Sequence, residues 1–262
     1  LQRRSEIMLS SIEETMVGLR QFGSGQKGLI SVGLLSSVAR NLLPAAAEKL
    51  SEKFPDIQLD ILEISPVEAI DLLYGRQLSV AVLAEDSIAK SILSFSKTHL
   101  FEDPYVLAVP KSVSLENIKN LEDLKKSPVS KALSNIIQFE FGNQHKKRIE
   151  EWFTSVLPNS RVFAKTRTYE VALSMVQSGR GVAVVPALAA RLGGKNLDFD
   201  VNLYRTNLPV RKIISLIPSQ YIRVEPYKSF IEALKETGKN MKLPKIHKVP
   251  PILESLNVET LL

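Results

Sequence analysis

The feature that most restricts the fold of this chain is an alternation of short apolar runs with longer stretches of helical periodicity. "LISVGLL" (29–35) and "LSVAVL" (78–83) are long enough for a strand buried on both faces and too short for a helix. Between them lies a helical stretch through "PAAAEKLSEKF", stopped by Pro55. "IQLDILEI" follows, alternating through Ile57, Leu59, Ile61 and Ile64 with a break at Leu62. "VEAIDLLYG" then sets Val67, Ile70, Leu73 and Tyr74 on one side of a helix. This β-α-β-α-β order implies parallel strands with right-handed crossovers.

A second series repeats the pattern. "YVLAVP" reads as a strand, and "KSVSLENIKNLEDLKKSPVSKALS" as one or two short helices. "NIIQFEF" is a strand, and "NQHKKRIEEWFTSVL" a helix with Ile149, Trp152, Phe153 and Val156 as its core face. "RVFAKT", "TYEVALSMVQSG" and "GVAVVP" add strand, helix and strand. "RKIISLIP" is a further strand, and "EPYKSFIEALKETG" a last helix closed by Gly238. A strand that returns after the second unit implies two lobes joined twice, near "LFEDPY" and "TNLPVRK". Open α/β sheets bind ligands in such a crevice, at the carboxyl ends of their strands.

At the start, Ser5, Met8, Ile12, Met16 and Leu19 share one helical face, and "FGSGQKG" separates this segment from the body. Two readings stay open: a helix folded back on its own domain, or a connector that pairs with a second copy. The opening has no signal-peptide organisation, lacks an initiator Met and begins inside a helical pattern, as expected of a piece of something longer. Residues 239–262 carry three prolines and little periodicity, the mark of a surface-wrapped or loose tail. Lys239, Lys242, Lys245 and Lys248 read as its solvated face, since no aromatics are interleaved for stacking on bases.

Composition matters mainly for the chemistry it removes. With no cysteine there are no disulfides, thiolate metal sites or thiol nucleophiles. His99, His145 and His247 are scattered, so neither a metal site nor a cofactor is expected. No apolar run approaches the roughly 18 residues of a membrane-spanning helix. Ser36 and Ser37 lack the glycine of a nucleophile elbow, and "SGRGVAVVP" runs from helix to strand, opposite to a dinucleotide fingerprint. The acidic pairs Glu150–Glu151 and Glu102–Asp103 read as solvated surface.

What remains is polar groups at strand ends: Ser36 and Ser37, Ser65 and Pro66, Gln138 and Phe139, and "KTRT" with Lys165, Arg167 and Thr168. Ser37, Ser65 and Thr168 each precede a helix, where a hydroxyl caps free N–H groups. Helix starts also attract anions, and Lys165 and Arg167 add formal charge. Each hydroxyl alone reads as a plain cap. Together on facing lobes they make a site for a small carboxylate, with no nucleophile or proton shuttle, so no enzyme is expected.

The order of segments resembles the effector-binding region of LysR-type transcriptional regulators. The resemblance is carried by "GLISVGLLSSVARNLLPAAAEKLSEKFPDIQLDILE", then "LFEDPYVLAVP", and most specifically "TYEVALSMVQSGRGVAVVP". It covers about residues 28–238, with the first helix similar to the family's linker helix. It implies an α/β fold of two Rossmann-like subdomains, the type II periplasmic-binding-protein kind: 28–103 with 207–240, and 104–206. Residues 1–24 would be the linker helix and 241–262 a tail. It also implies a cytoplasmic homodimer or homotetramer, a small-molecule effector, and promoter DNA and RNA polymerase as partners. The winged helix-turn-helix that reads DNA would lie upstream, outside this chain. The matching effector positions are Ser36, Ser37, Ser65, Pro66, Gln138, Phe139 and Thr168, with Arg167 beside them. Pro66, which has no N–H, stands where the family commonly has serine or threonine. Ile64 replaces a frequent glycine and Ser79 the usual aspartate. Absence of cysteine argues against the peroxide-sensing branch. The alternatives are a solute-binding protein of a transporter, and an enzyme on the same scaffold. "KTRT" is faintly similar to a prephenate dehydratase signature but lacks its phenylalanine.

Overall fold

The computed structural model describes residues 28–88, 94–120, 122–123, 129–140, 143–193 and 198–256; the expected first helix lies outside them. β1 (Gly28–Leu34), β2 (Ile57–Glu63) and β3 (Val80–Ala84) alternate with α1 (Ser36–Lys53) and α2 (Pro66–Tyr74). β1 pairs in parallel with β2 through seven residues and with β3 through three. β4 (Phe95–Asp103) and β10 (Arg211–Pro218) complete a sheet of order β2-β1-β3-β10-β4. Strand β3 is buried along its whole length, which is why its sequence shows no alternation.

The second set is β5 (Tyr105–Pro110), β6 (Asn135–Phe139), β7 (Arg161–Thr166), β8 (Ala183–Pro186) and β9 (Val201–Arg205). Strands β6 and β7 pair in parallel, and β5 pairs antiparallel with β8 and β9. One parallel bridge, Ile136 to Val182, joins the two groups, giving the order β7-β6-β8-β5-β9. Helices α3 (Val129–Leu133), α4 (Asn143–Val156) and α5 (Tyr169–Gln177) belong to this half. The chain thus holds two α/β subdomains with the same strand order. It passes between the sheets at Pro104, and again between Arg205 and Arg211.

β4 and β9 were not legible as strands. Both are edge strands, less covered than central ones, and they carry polar residues at their exposed positions, Lys97, His99 and Glu102 in β4 and Arg205 in β9. The last helix, α6 (Tyr227–Lys239), is not closed by Gly238 as expected. That glycine lies inside it because a Cβ there would meet the Leu100 carbonyl oxygen at 2.8 Å, so it is a close-approach residue of the α6–β4 contact. Residues 240–256 wrap the surface and are anchored. His247 N–H donates to the Leu203 carbonyl at 2.7 Å, covering the β9 edge, and α7 (Pro251–Leu256) buries Ile252 and Leu253 in the second core. The side chains of Lys239, Lys242, Lys245 and Lys248 point to solvent.

Candidate functional site

The parallel strands β1, β2 and β3 all end on the side that faces the second subdomain, and a cavity of about 210 Å³ opens there. From the first subdomain it receives Ser36 and Ser37 after β1, Glu63, Ile64 and Pro66 after β2, and Arg211 at the start of β10. From the second come Tyr105 at the start of β5, Phe139 at the end of β6, Arg167 and Thr168 between β7 and α5, and Tyr169 and Glu170 in the first turn of α5. The Phe139 and Tyr169 rings stack at 3.9 Å, making an apolar wall.

The two subdomains present differently built helix starts. Thr168 caps α5, its hydroxyl accepting from Val171 N–H at 3.4 Å, and Ser65 caps α2 by accepting from Glu68 N–H at 3.2 Å. Helix α1 begins earlier than the capping reading requires: Leu35 occupies the cap position and supplies no side-chain hydrogen bond. Ser37 is therefore not a cap. The residue is 2 % exposed, and its hydroxyl accepts instead from Arg211 Nη2 at 3.1 Å. Val38 and Ala39 N–H both donate to the Leu35 carbonyl, at 2.9 and 2.8 Å, which leaves the Ser36 and Ser37 amides as the open donors of the α1 start beside the cavity.

Arg211 belongs to the most buried charged cluster of the site. Its Nε and Nη2 donate to Asp103 Oδ2 at 3.1 and 2.6 Å, and Asp103 Oδ1 accepts from Leu188 N–H at 3.0 Å. Asp103 is 0 % exposed and Arg211 4 %, and the two face each other in the β4–β10 ladder. The solvated reading of Asp103 is thus corrected: a strand end at the passage between subdomains is interior, and an acid there needs a cation. Burial, the largest single influence, lowers the Arg211 pKa, but the Asp103 carboxylate together with Tyr169 and Tyr105 outweighs it and the net shift is upward. Burial also pushes the Tyr105 phenol up to about 12 and raises that of Tyr169.

Of the residues singled out in the sequence, Ser36, Ser37, Pro66, Phe139, Arg167 and Thr168 line this cavity. Ser65 sits just behind it as a cap. Gln138 faces the other way, donating to Glu150 and lining a separate cavity of about 330 Å³ against α4. Adjacent residues of a strand point to opposite faces, so Gln138 and Phe139 cannot serve one side. Lys165 pairs with Glu140 at 2.9 Å. Sequence reasoning missed Arg211, Asp103, Tyr105 and Tyr169. The usable signal is Asp103, an acid separated only by Pro104 from a wholly buried strand.

A second contact joins the subdomains behind the cavity. Arg40 on α1 donates to Glu170 Oε1 at 2.5 Å and to the carbonyls of Ala189 and Arg191. Asn41 donates to the Leu188 carbonyl at 3.3 Å.

Comparison with known proteins places this geometry. The family model for the LysR substrate binding domain matches residues 23–239. Among curated relatives, the HTH-type transcriptional regulator CysB of Haemophilus influenzae is 25 % identical over 170 residues, 62 % of this chain and 48 % of that protein. The chain spans about half the length of the curated relatives it matches. Among solved structures, the reduced OxyR regulatory domain of Pseudomonas aeruginosa superposes with a TM-score of 0.60 at 16 % identity, covering 80 % of this chain and 98 % of that one. The effector binding domain of QuiR in complex with shikimate gives 0.59 at 15 % identity, covering 83 % and 100 %. At these identities the structural likeness speaks for the fold.

Proposed function

This chain belongs to the LysR substrate-binding domain family, and on that premise we propose that it is the effector-sensing region of a LysR-type transcriptional regulator, taking a small organic anion in the cleft between its subdomains. The observation that carries this reading is the cavity itself. Partly positive groups converge on it from both sides, the open α1 start and Arg211 from one and Arg167 from the other, against apolar walls. Nothing in that arrangement is a nucleophile next to a base, so its chemistry is recognition. Ser36, Ser37, Pro66, Phe139, Arg167 and Thr168 are its contact residues, with Ser65 holding the α2 start in place.

A ligand that binds one relative arrangement of the subdomains more tightly shifts the population toward it. In a longer cytoplasmic protein that shift reaches a DNA-binding domain through residues 1–24 as a linker helix and through assembly into dimers or tetramers. We place the subdomains at 28–103 with 207–240, and at 104–206, since β4 ends at Asp103 just before β5, and the second passage lies between the end of β9 at Arg205 and the start of β10 at Arg211. Membership of a family of regulators, among them an HTH-type relative, supports the promoter and RNA polymerase as the eventual partners.

The test is a thermal-shift screen of small organic acids. A ligand at about 100 times its dissociation constant adds about 2.7 kcal/mol of stability. A stabilising acid lost on Thr168→Val and weakened by Ser37→Ala supports the cleft. Unchanged titrations for both folded variants put the site elsewhere.

A further inference from the structure

Resting on the cleft reading, we propose that Arg211 is the residue that grips the ligand's charge, and that the site selects a single carboxylate on an apolar body over a dicarboxylate. A guanidinium has five N–H donors in a fixed plane. In Arg211 three of them are directed inside the protein, one from Nε and one from Nη2 to Asp103 Oδ2 and the second from Nη2 to the Ser37 hydroxyl. The two on Nη1 donate to none of the described residues, yet Nη1 is not sealed from solvent, and Arg211 forms part of the cavity wall. A buried cation held rigid by a carboxylate and a hydroxyl, with one amino group turned to a cavity, is a preorganised anion receptor.

The charge selectivity follows from what else faces the cavity. Arg211 is already compensated by Asp103, and Glu170 by Arg40. That leaves Arg167, exposed at the mouth, against Glu63, also exposed and also lining the cavity. One ligand carboxylate finds Nη1 and the open α1 amides. A second one finds Arg167 set against Glu63 and an apolar wall of Ile64, Pro66 and the stacked Phe139–Tyr169 pair, where no net positive charge offsets its desolvation. The position of the anchor adds a consequence. Asp103 and Arg211 flank the two passages between subdomains, and Asp103 also holds Leu188 on the far side, so the ligand's charge engages the group that joins them.

The experiment titrates the folded chain with benzoate, cyclohexanecarboxylate and shikimate, with benzamide as the neutral counterpart of benzoate and phthalate as its dicarboxylate, by calorimetry and thermal shift. At least one monocarboxylate is expected to bind, with the matched amide and dicarboxylate weaker by about tenfold or more, the scale of one charged hydrogen bond. Arg211→Lys keeps a cation beside Asp103 but cannot span Asp103, Ser37 and the ligand together, so it is expected to lose about tenfold or more in affinity. Should that variant fail to fold, Ser37→Ala, which releases Nη2, is expected to lose about threefold to tenfold. Amides or dicarboxylates binding as well as monocarboxylates overturn the inference and leave the cleft reading standing. The same holds for acids that bind Arg211→Lys or Ser37→Ala within twofold of the parent. Failure of every acid to bind at millimolar concentration overturns both.

Discussion

The two subdomains share one strand order, yet they are knit differently. In the first sheet β1 is zipped to β2 over seven residues and to β3 over three. In the second the counterpart strand β6 reaches β8 through a single bridge, closed by hydrogen bonds from Ile137 N–H to the Val182 carbonyl at 2.8 Å and from Val182 N–H to the Asn135 carbonyl at 2.9 Å. The first half is a continuous platform that carries the buried Arg211 and the open α1 start. The second brings its share of the cavity, Phe139 and Thr168 to Glu170, on a sheet joined at one point. A common topology fixes where the polar ends converge. The length of each ladder decides how firmly each wall is held.

The largest test of that contrast is Arg211→Met. It strands Asp103 as an unpaired buried charge, and unfolding in urea should show a loss of about 3–5 kcal/mol. Arg167→Met at the exposed mouth should stay within about 0.5 kcal/mol. A loss under about 1 kcal/mol for Arg211→Met would mean that water reaches the pair.

A pair of glycines compares the two sheets directly. At Gly181 a Cβ would meet the Asn135 carbonyl oxygen at 2.5 Å, backbone that cannot give without parting β6 from β8. At Gly33 it would meet Ile64 Cδ1 at 2.4 Å and Leu78 Cδ1 at 2.6 Å, the far ends of side chains that can turn aside. Gly181→Ala is expected to cost about 2–3 kcal/mol and Gly33→Ala about 1 kcal/mol. The reverse order in thermal denaturation would break the comparison.

Alkali probes the cavity wall that β5 supplies. The Tyr105 pKa is raised by burial to about 12, so between the ordinary value near 10 and that value the unfolded chain has lost a proton that the folded chain retains. The phenol's contribution is complete below pH 10 and is lost as pH rises toward 12, at up to about 1.4 kcal/mol per pH unit. In Tyr105→Phe the decline above pH 10 should be shallower. An identical decline would show that the ring is solvated.

Among the smaller effects are the helix starts. Thr168→Val removes the α5 cap and should cost about 1 kcal/mol of stability. Ser36→Ala, at a helix start with no side-chain cap, should change stability by less than about 0.5 kcal/mol while still altering ligand affinity. Equal losses from the two, measured by chemical denaturation, would erase the distinction drawn between α1 and α5.

The sequence reveals the parts of this molecule that depend on period and misses those that depend on pairing. Buried runs such as "LSVAVL" and "GVAVVP" state their own burial, and the serines and threonine at strand ends mark the cleft because strand carboxyl ends and helix starts coincide there. β4 and β9 stayed hidden because an edge strand need not be apolar. Arg211 stayed hidden because a residue's burial depends on a neighbour 108 positions away, and no local pattern announces Asp103 as that neighbour. Gln138 and Phe139 are neighbours in sequence, yet one residue along a strand reverses the face, and only Phe139 reaches the cleft.

The most direct test of the central claim is a crystal structure of the chain bound to a stabilising acid. The carboxylate is expected at Arg211 Nη1 and the first turn of α1, with its body against Phe139 and Tyr169. Ligand density confined to the cavity beside Gln138 and Glu150, or to the outer surface, would contradict it.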